Sequence, residues 1–237
     1  MTTSVEARLA SLDWAAIEAS LWDRGFAKTA PILRPEECEA LVAMYGDETR
    51  FRSRVDMARY RFGVGEYKYF AAPLPGLVQE LRVHGYPPLA AVANRWMAAL
   101  GAEERFPASH AGLRRMCAER GQTRPTPLLL RYEAGGYNCL HQDVYGELTF
   151  PLQIAAFLSR PGVDYTGGEF VLVEQRPRAQ SAAEVIVPAQ GELVIFTTRF
   201  RPLASRRGHT RANVRHGVSR LRSGQRFTLG VFFHDAR

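Results

Sequence analysis

No stretch of this chain approaches eighteen consecutive apolar residues, so none is long enough to cross a bilayer as a helix. The first residues carry Glu6 and Asp13 where an export leader would carry a basic patch and an apolar run, which leads us to expect a non-exported, cytoplasmic chain with no membrane partner. Cysteine is scarce. Cys38, Cys117 and Cys139 are odd in number and widely spaced, which argues against a disulfide framework and suits a reducing compartment. Internal repeats, low-complexity segments and an interdomain linker are also missing. What remains is 237 residues, 46% of them hydrophobic, enough to bury a sizeable core as one domain.

The charge is unbalanced, with 31 Lys and Arg against 24 Asp and Glu and a net charge of +7. Arg50, Arg52, Arg54, Arg59 and Arg61 are interleaved with Tyr60, Phe62, Tyr67, Tyr69 and Phe70, and a second cluster (Arg199, Arg201, Arg206, Arg207, Arg211, Arg215) leads to His216. Such mixtures bind phosphates and stack bases. They also form ordinary surface salt bridges, and no base-reading motif decides between the two.

The pattern is helical first and β later. Val5 to Trp22 has a helical apolar period ended by Gly25, Phe26 to Leu33 reads as a short strand, and Pro35 with Glu36 and Glu37 starts a helix running to about Tyr45. Further helices are expected over Pro88 to Leu100 and Ala111 to Glu119. From Thr126 onward, about eight short apolar runs alternate with turn residues, which points to a sandwich or jelly roll rather than a parallel α/β sheet.

The chemistry lies in this second half. If Tyr137 to Val144 is a strand, His141 and Asp143 point the same way and can share one ion, with a third ligand from elsewhere. Two histidines and one carboxylate on one face of a metal leave open positions, the arrangement of non-haem Fe(II) oxygenases. The third ligand has two candidates, His209 and His216. Thr198 to Arg211 is dense in Arg, Pro and Gly and reads as an exposed loop, a poor platform for a ligand, so His216 is favoured. The last run, Arg226 to Phe233, reads as a strand buried on both faces, with Arg226 and Thr228 on the same side. Together they can clamp a carboxylate. Cys139 is read as a small buried hydrophobe, and His234 with Asp235 is given no role.

These residues resemble the Fe(II)/2-oxoglutarate-dependent oxygenases, in particular their prolyl-4-hydroxylase-like branch. The resemblance rests on HQD at His141 to Asp143, RHG around His216, Arg226 ten residues later followed by Thr228, Tyr132 nine residues before His141, and the TGGE turn at Thr166 to Glu169. It spans roughly residues 126 to 235. More narrowly, the whole chain, including LWDRGFAKT and RYRFGVGEYKYF, is similar to a bacterial family of such oxygenases described as acting on damaged nucleic acid.

The resemblance implies an α+β fold, a double-stranded β-helix (jelly-roll) core braced by N-terminal helices. Residues 1–125 would form a helical and substrate-entrance region and residues 126–237 the oxygenase core, together one compact domain. It further implies Fe(II) on His141, Asp143 and His216, and 2-oxoglutarate held by Arg226 with Thr228 and Tyr132. O2 would be the co-reactant and ascorbate an optional reductant. Succinate and CO2 would be released as a substrate is hydroxylated or oxidatively demethylated. A nucleic acid, a prolyl or other protein side chain and a small metabolite all remain open as the substrate. Two other classes stand beside this one: a jelly-roll metal enzyme of the thiol-dioxygenase type that uses no oxoacid, and a non-catalytic nucleic-acid-binding or sensing module. The Arg226–Thr228 pair argues against the first, and the complete set of three ligand types argues against the second. Oligomeric state is not legible in the sequence.

Overall fold

The caps of the first helices set the entry of the chain. In the computed structural model, which describes residues 3–176, 178–206 and 208–237, α1 (Val5–Ala10) starts on Ser4 and α2 (Trp14–Arg24) on Asp13, whose carboxylate accepts from Ala16 N at 2.9 Å. The single helix expected over Val5 to Trp22 is thus two, because Asp13 caps a new helix instead of continuing the old one. Gly25 ends α2 at φ 77, as expected. β1 (Phe26–Lys28) and α3 (Pro35–Ala43) follow. After α3 come β2 (Phe51–Asp56), β3 (Gly63–Val64) and β4 (Glu66–Phe70), strands inside the region expected to be helical and to form the substrate entrance. Their alternation is disguised, because β4 buries Glu66, Lys68 and Phe70 and leaves Tyr67 and Tyr69 half-buried. Glu66 is matched by the Tyr45 hydroxyl, Arg54 and Arg131, and Lys68 by the Tyr45 carbonyl and Glu48.

α4 (Gly76–Ala99) starts a dozen residues before the expected Pro88 and carries Pro87 and Pro88 inside it. Its buried side in the first half is Val78, Leu81, Arg82, Gly85 and Tyr86, a helical spacing hidden by one charged residue and one glycine. α5 is His110–Glu119.

The remaining strands are β5 (Leu128–Glu133), β6 (Tyr137–His141), β7 (Leu152–Phe157), β8 (Tyr165–Gly167), β9 (Phe170–Gln175), β10 (Ala182–Ile186), β11 (Leu193–Thr197), β12 (Phe200–Ser205), β13 (Gly208–Val218) and β14 (Leu221–Val231). They form two antiparallel sheets: a larger one in the order β1-β11-β7-β14-β5-β4-β2, with β8 also on β14, and a smaller one in the order β10-β9-β13-β6-β3, with β12 on β13. The expected exposed loop over Thr198 to Arg211 is mostly the β12–β13 hairpin. Its Pro202 is tolerated on an outlying strand, and its Arg201 is buried on Glu174. Arg207, named in the second basic cluster, lies outside the described residues.

Period two divides the larger sheet into two faces. Leu129, Ile154, Leu193, Ile195, Leu229 and Val231 pack toward the helices with Leu21, Leu41, Tyr86 and Trp96. Between the sheets, Phe157, Val194 and Phe196 meet Phe170, Leu172 and Val214. That core fills one end of the sandwich and leaves the other open. No helix among the described residues is long and apolar enough to cross a membrane.

Two histidines are buried against the C-terminal segment. His110 Nε2 lies 3.0 Å from the Phe233 carbonyl, and His234 Nδ1 lies 3.3 Å from Phe150 N. Burial, aided by the charge of Arg82, depresses His110 to about 3 and His234 to about 4. Both are neutral when folded, while the unfolded chain takes up these protons near pH 6.5. Their contribution to stability is therefore complete above that value and is lost as pH falls toward 4 and then 3, by up to about 1.4 kcal/mol per unit for each group. Denaturant midpoints measured from pH 7 to pH 4 are expected to fall, and His110→Phe to flatten the slope. Equal slopes for the two proteins would contradict this assignment.

Candidate active site

β6 and β13 bring the predicted ligands together. His216 pairs with His141 across the smaller sheet, and the register slips between His216 and Val218. Asp143 arrives differently from the expectation. β6 ends at His141, so strand alternation does not aim Asp143. Instead the Gln142 side chain donates to the carbonyls of Arg199 and Val214, and Asp143 N donates to Thr198 O, tying this segment to the strands behind it. Candidate ligand atoms of His141, Asp143 and His216 all lie within 4.8 Å of one another. His209 is not part of this cluster: it is exposed and its ring stands against Trp22.

Two residues that the sequence reading passed over hold the carboxylate. The Tyr145 hydroxyl donates to one oxygen of Asp143 and Gln153 Nε2 to the other, each at 2.9 Å. Gln153 was visible as the lone polar residue in the apolar run FPLQIAAF, which should have marked it as purposeful. Tyr145 had no such signal.

The electrostatics suit cation capture. Burial alone would raise the Asp143 carboxyl, but the two imidazoles, His216 foremost, outweigh it and hold the group well below the usual carboxylate range. Burial, followed by the neighbouring His141, lowers His216, whereas for His141 the same burial is overcome by Asp143 and the ring is raised. A cation would replace the proton shared within this cluster.

The three candidate ligands sit in a cavity of about 360 Å³ at the open end of the sandwich. Leu128, Leu130 and Tyr132 line it from β5, Gln153 and Ala155 from β7, and Arg226, Thr228 and Gly230 from β14. Arg226 pairs in register with Tyr132, and Thr228 with Leu130. Arg226 is 1% exposed and forms no ion pair among the described residues, and its guanidinium carbon lies 5.1 to 5.9 Å from the rings of Phe157, Tyr132 and Tyr165. Arg226 Nε and Nη2, Tyr132 Oη, Thr228 Oγ1 and His216 Nδ1 are all buried with no hydrogen-bond partner among the described residues. Unpartnered polar groups beside a buried guanidinium, at the part of the cavity lined by Leu128, Leu130 and Tyr132, can receive a carboxylate.

The mouth is built from one basic cluster and not from the other. Met57, Arg61, Phe62 and Tyr67 line the cavity, whereas no described residue of the Arg199 to Arg215 segment does. In β13, Arg211, Asn213 and Arg215 are exposed while Ala212, Val214 and His216 are buried, so the arginines stand on the outer side of the sheet. Cys139, expected to be buried, is exposed and lines the cavity, because β6 turns this position toward the opening.

Comparison with known proteins agrees with this geometry. The profile of a family described as "Oxygenase, catalysing oxidative methylation of damaged DNA" matches residues 65–236. An uncharacterized protein of Mycobacterium tuberculosis is 48% identical over 167 residues, 70% of this chain and 72% of that one. Among solved structures, a Pseudomonas putida prolyl-4-hydroxylase superposes with a TM-score of 0.56 at 17% identity, covering 94% of this chain and 99% of the other. A Burkholderia pseudomallei oxidoreductase of the 2OG-Fe(II) oxygenase family gives 0.55 at 16% identity, covering 95% and 94%. The structural likenesses show the fold, the jelly-roll core with bracing helices that the sequence led us to expect.

Proposed function

Because the chain belongs to the oxygenase family described as catalysing oxidative methylation of damaged DNA, we propose that it is a non-haem Fe(II)- and 2-oxoglutarate-dependent dioxygenase. On this reading it hydroxylates or oxidatively demethylates a nucleic-acid substrate. One observation carries the cosubstrate: the unpartnered donors of Arg226, Tyr132 and Thr228 share one cavity with the His141, Asp143 and His216 cluster. His141, Asp143 and His216 would hold Fe(II), and Arg226, with Thr228 and Tyr132, would hold the distal carboxylate of 2-oxoglutarate.

When bound, iron and the oxoacid together supply the activation of O2 and the release of succinate and CO2. The chain contributes placement. Tyr145 and Gln153 fix the Asp143 carboxylate from both sides, so its direction toward the ion is set before the ion arrives. Leu128, Leu130, Ile154, Phe196 and Phe232 keep the interior apolar, which strengthens the pull of Arg226 on an anion and shields the chemistry from bulk water.

The basic surface supports a polyanionic substrate in part. Arg50, Arg54 and Arg201 are committed to Asp47, Glu66 and Glu174, whereas Arg59, Arg61, Arg199 and Arg215 have no acidic partner among the described residues. Of these, Arg61 lies at the cavity.

The test is an anaerobic titration of the purified protein with Fe(II) and then 2-oxoglutarate, following the visible metal-to-ligand charge-transfer band. The band is expected only after both additions, to be lost in His216→Ala and to persist in His209→Ala. Iron binding without a band on adding 2-oxoglutarate would overturn the cosubstrate and bring the thiol-dioxygenase reading forward.

A further inference from the structure

Between β2 and β3, a tight turn presents an aromatic pair to solvent. Tyr60 is 53% exposed and Phe62 47%, and their rings are stacked, with centroids 5.6 Å apart and planes 22° from parallel. Two large apolar rings gain nothing for folding by standing in water, so their stacking is a surface feature that asks for an explanation. Arg59 sits over the Tyr60 ring at 6.0 Å, and Arg61 lies between the two aromatics in sequence.

The turn is fixed, and it is fixed to the metal-binding strand. Arg61 adopts φ 59, an uncommon conformation for a residue with a side chain, held by Arg61 N on Ala58 O and Phe62 N on Met57 O. Met57 itself is buried. Cys139 N donates to Phe62 O at 2.8 Å, two residues before His141, and Gly63 pairs with Asn138. A Cβ on Gly63 would lie 2.2 Å from Tyr137 O, so the close approach that pins the turn to β6 requires glycine. Phe62 and Arg61 in turn line the cavity that holds His141. The aromatic pair therefore has a set position at the cavity mouth.

We propose that the Tyr60–Phe62 pair, flanked by Arg59 and Arg61, is a stacking platform for an unpaired base of single-stranded nucleic acid, beside the base that enters the cavity. The occupant follows from the mixture. Aromatic faces stack on any base, and the two arginines, free of acidic partners among the described residues, supply the charge a phosphate backbone needs. A base paired within a duplex offers neither face to such a platform, so unpaired strands are selected. The identity of the entering base rests on the oxygenase reading. The platform does not, since it can be measured without turnover.

The experiment is fluorescence anisotropy of a short labelled oligothymidylate with the full chain, with and without Fe(II) and 2-oxoglutarate, at several salt concentrations. Tyr60→Ala is expected to weaken binding about 5- to 100-fold with the salt slope unchanged, and Tyr60→Trp to restore it. Arg61→Ala is expected to reduce the slope by about one. A duplex of equal length, and polyphosphate as a charge-only competitor, are expected to bind more weakly. No binding of the oligonucleotide, binding by Tyr60→Ala equal to that of the wild type, or polyphosphate competing as well as the oligonucleotide would each overturn the platform. Because the charge-transfer band is read separately, loss of the band with intact oligonucleotide binding would fault the oxygenase reading alone.

Discussion

Arg226→Met is expected to move two measurements in opposite directions, weakening 2-oxoglutarate binding by about 30-fold or more while leaving the unliganded protein as stable as the wild type or more so. The reason lies in what surrounds the guanidinium. It is 1% exposed, faces the rings of Tyr132, Phe157 and Tyr165, and keeps Nε and Nη2 without acceptors. Cation–π contacts recover only about 1 to 2 kcal/mol of such a burial cost. Methionine has a similar reach, fills apolar space and carries no charge, so the unliganded fold loses little. The bound state loses a charge-assisted pair, worth roughly 2 to 5 kcal/mol when one partner is truncated. Isothermal titration with Fe(II) present, beside thermal denaturation without ligand, separates the two effects. A Met variant that is clearly destabilised, or that binds the oxoacid normally, would show that Arg226 serves packing and not a ligand. Arg226→Lys is also expected to bind poorly, because an ammonium cannot reproduce the forked donors.

That arginine was legible in the sequence because its strand is buried on both faces, which makes a charged residue stand out from Phe227, Leu229, Val231 and Phe233. His141 and Asp143 were legible for a similar reason, as a dense polar triplet among β residues. The route by which Asp143 reaches the cluster was not. It depends on Gln142 gripping Arg199 O and Val214 O, contacts between segments more than fifty residues apart that no local period encodes. The strands of residues 51–70 were hidden by chemistry: β4 turns its charges inward to partners on β2, β5 and the segment around Tyr45 and Glu48, inverting the usual hydrophobic pattern. The same inversion conceals the first half of α4, where Arg82 occupies the buried side.

Arg82→Ala, in consequence, is expected to be among the most destabilising single changes away from the cavity, by about 3 to 5 kcal/mol, or about 6 to 20 °C in Tm for a chain of this size. Arg82 Nε donates to Phe232 O at 2.8 Å, and Nη2 to Phe233 O at 2.9 Å and to Asp235 Oδ1 at 2.5 Å. Both side chains of the ion pair are at most 4% exposed. Truncating the arginine leaves the Asp235 carboxylate buried, with Arg114 at 3.5 Å in partial compensation, and takes one donor from each of the Phe232 and Phe233 carbonyls, the second of which keeps His110. The double variant Arg82→Met with Asp235→Leu removes the stranded charge and is expected to recover part of the loss, which distinguishes burial of an unpaired carboxylate from simple loss of packing. The effect should extend to the cavity. Phe232 lines it, and the clamped residues continue directly from β14, the strand that carries Arg226 and Thr228. Weaker 2-oxoglutarate binding in Arg82→Ala, measured well below its own Tm, would show that α4 holds the cosubstrate strand in place. Unchanged binding in a destabilised protein would confine the clamp to stability, and a stability within about 0.5 kcal/mol of wild type would remove the basis for the clamp altogether.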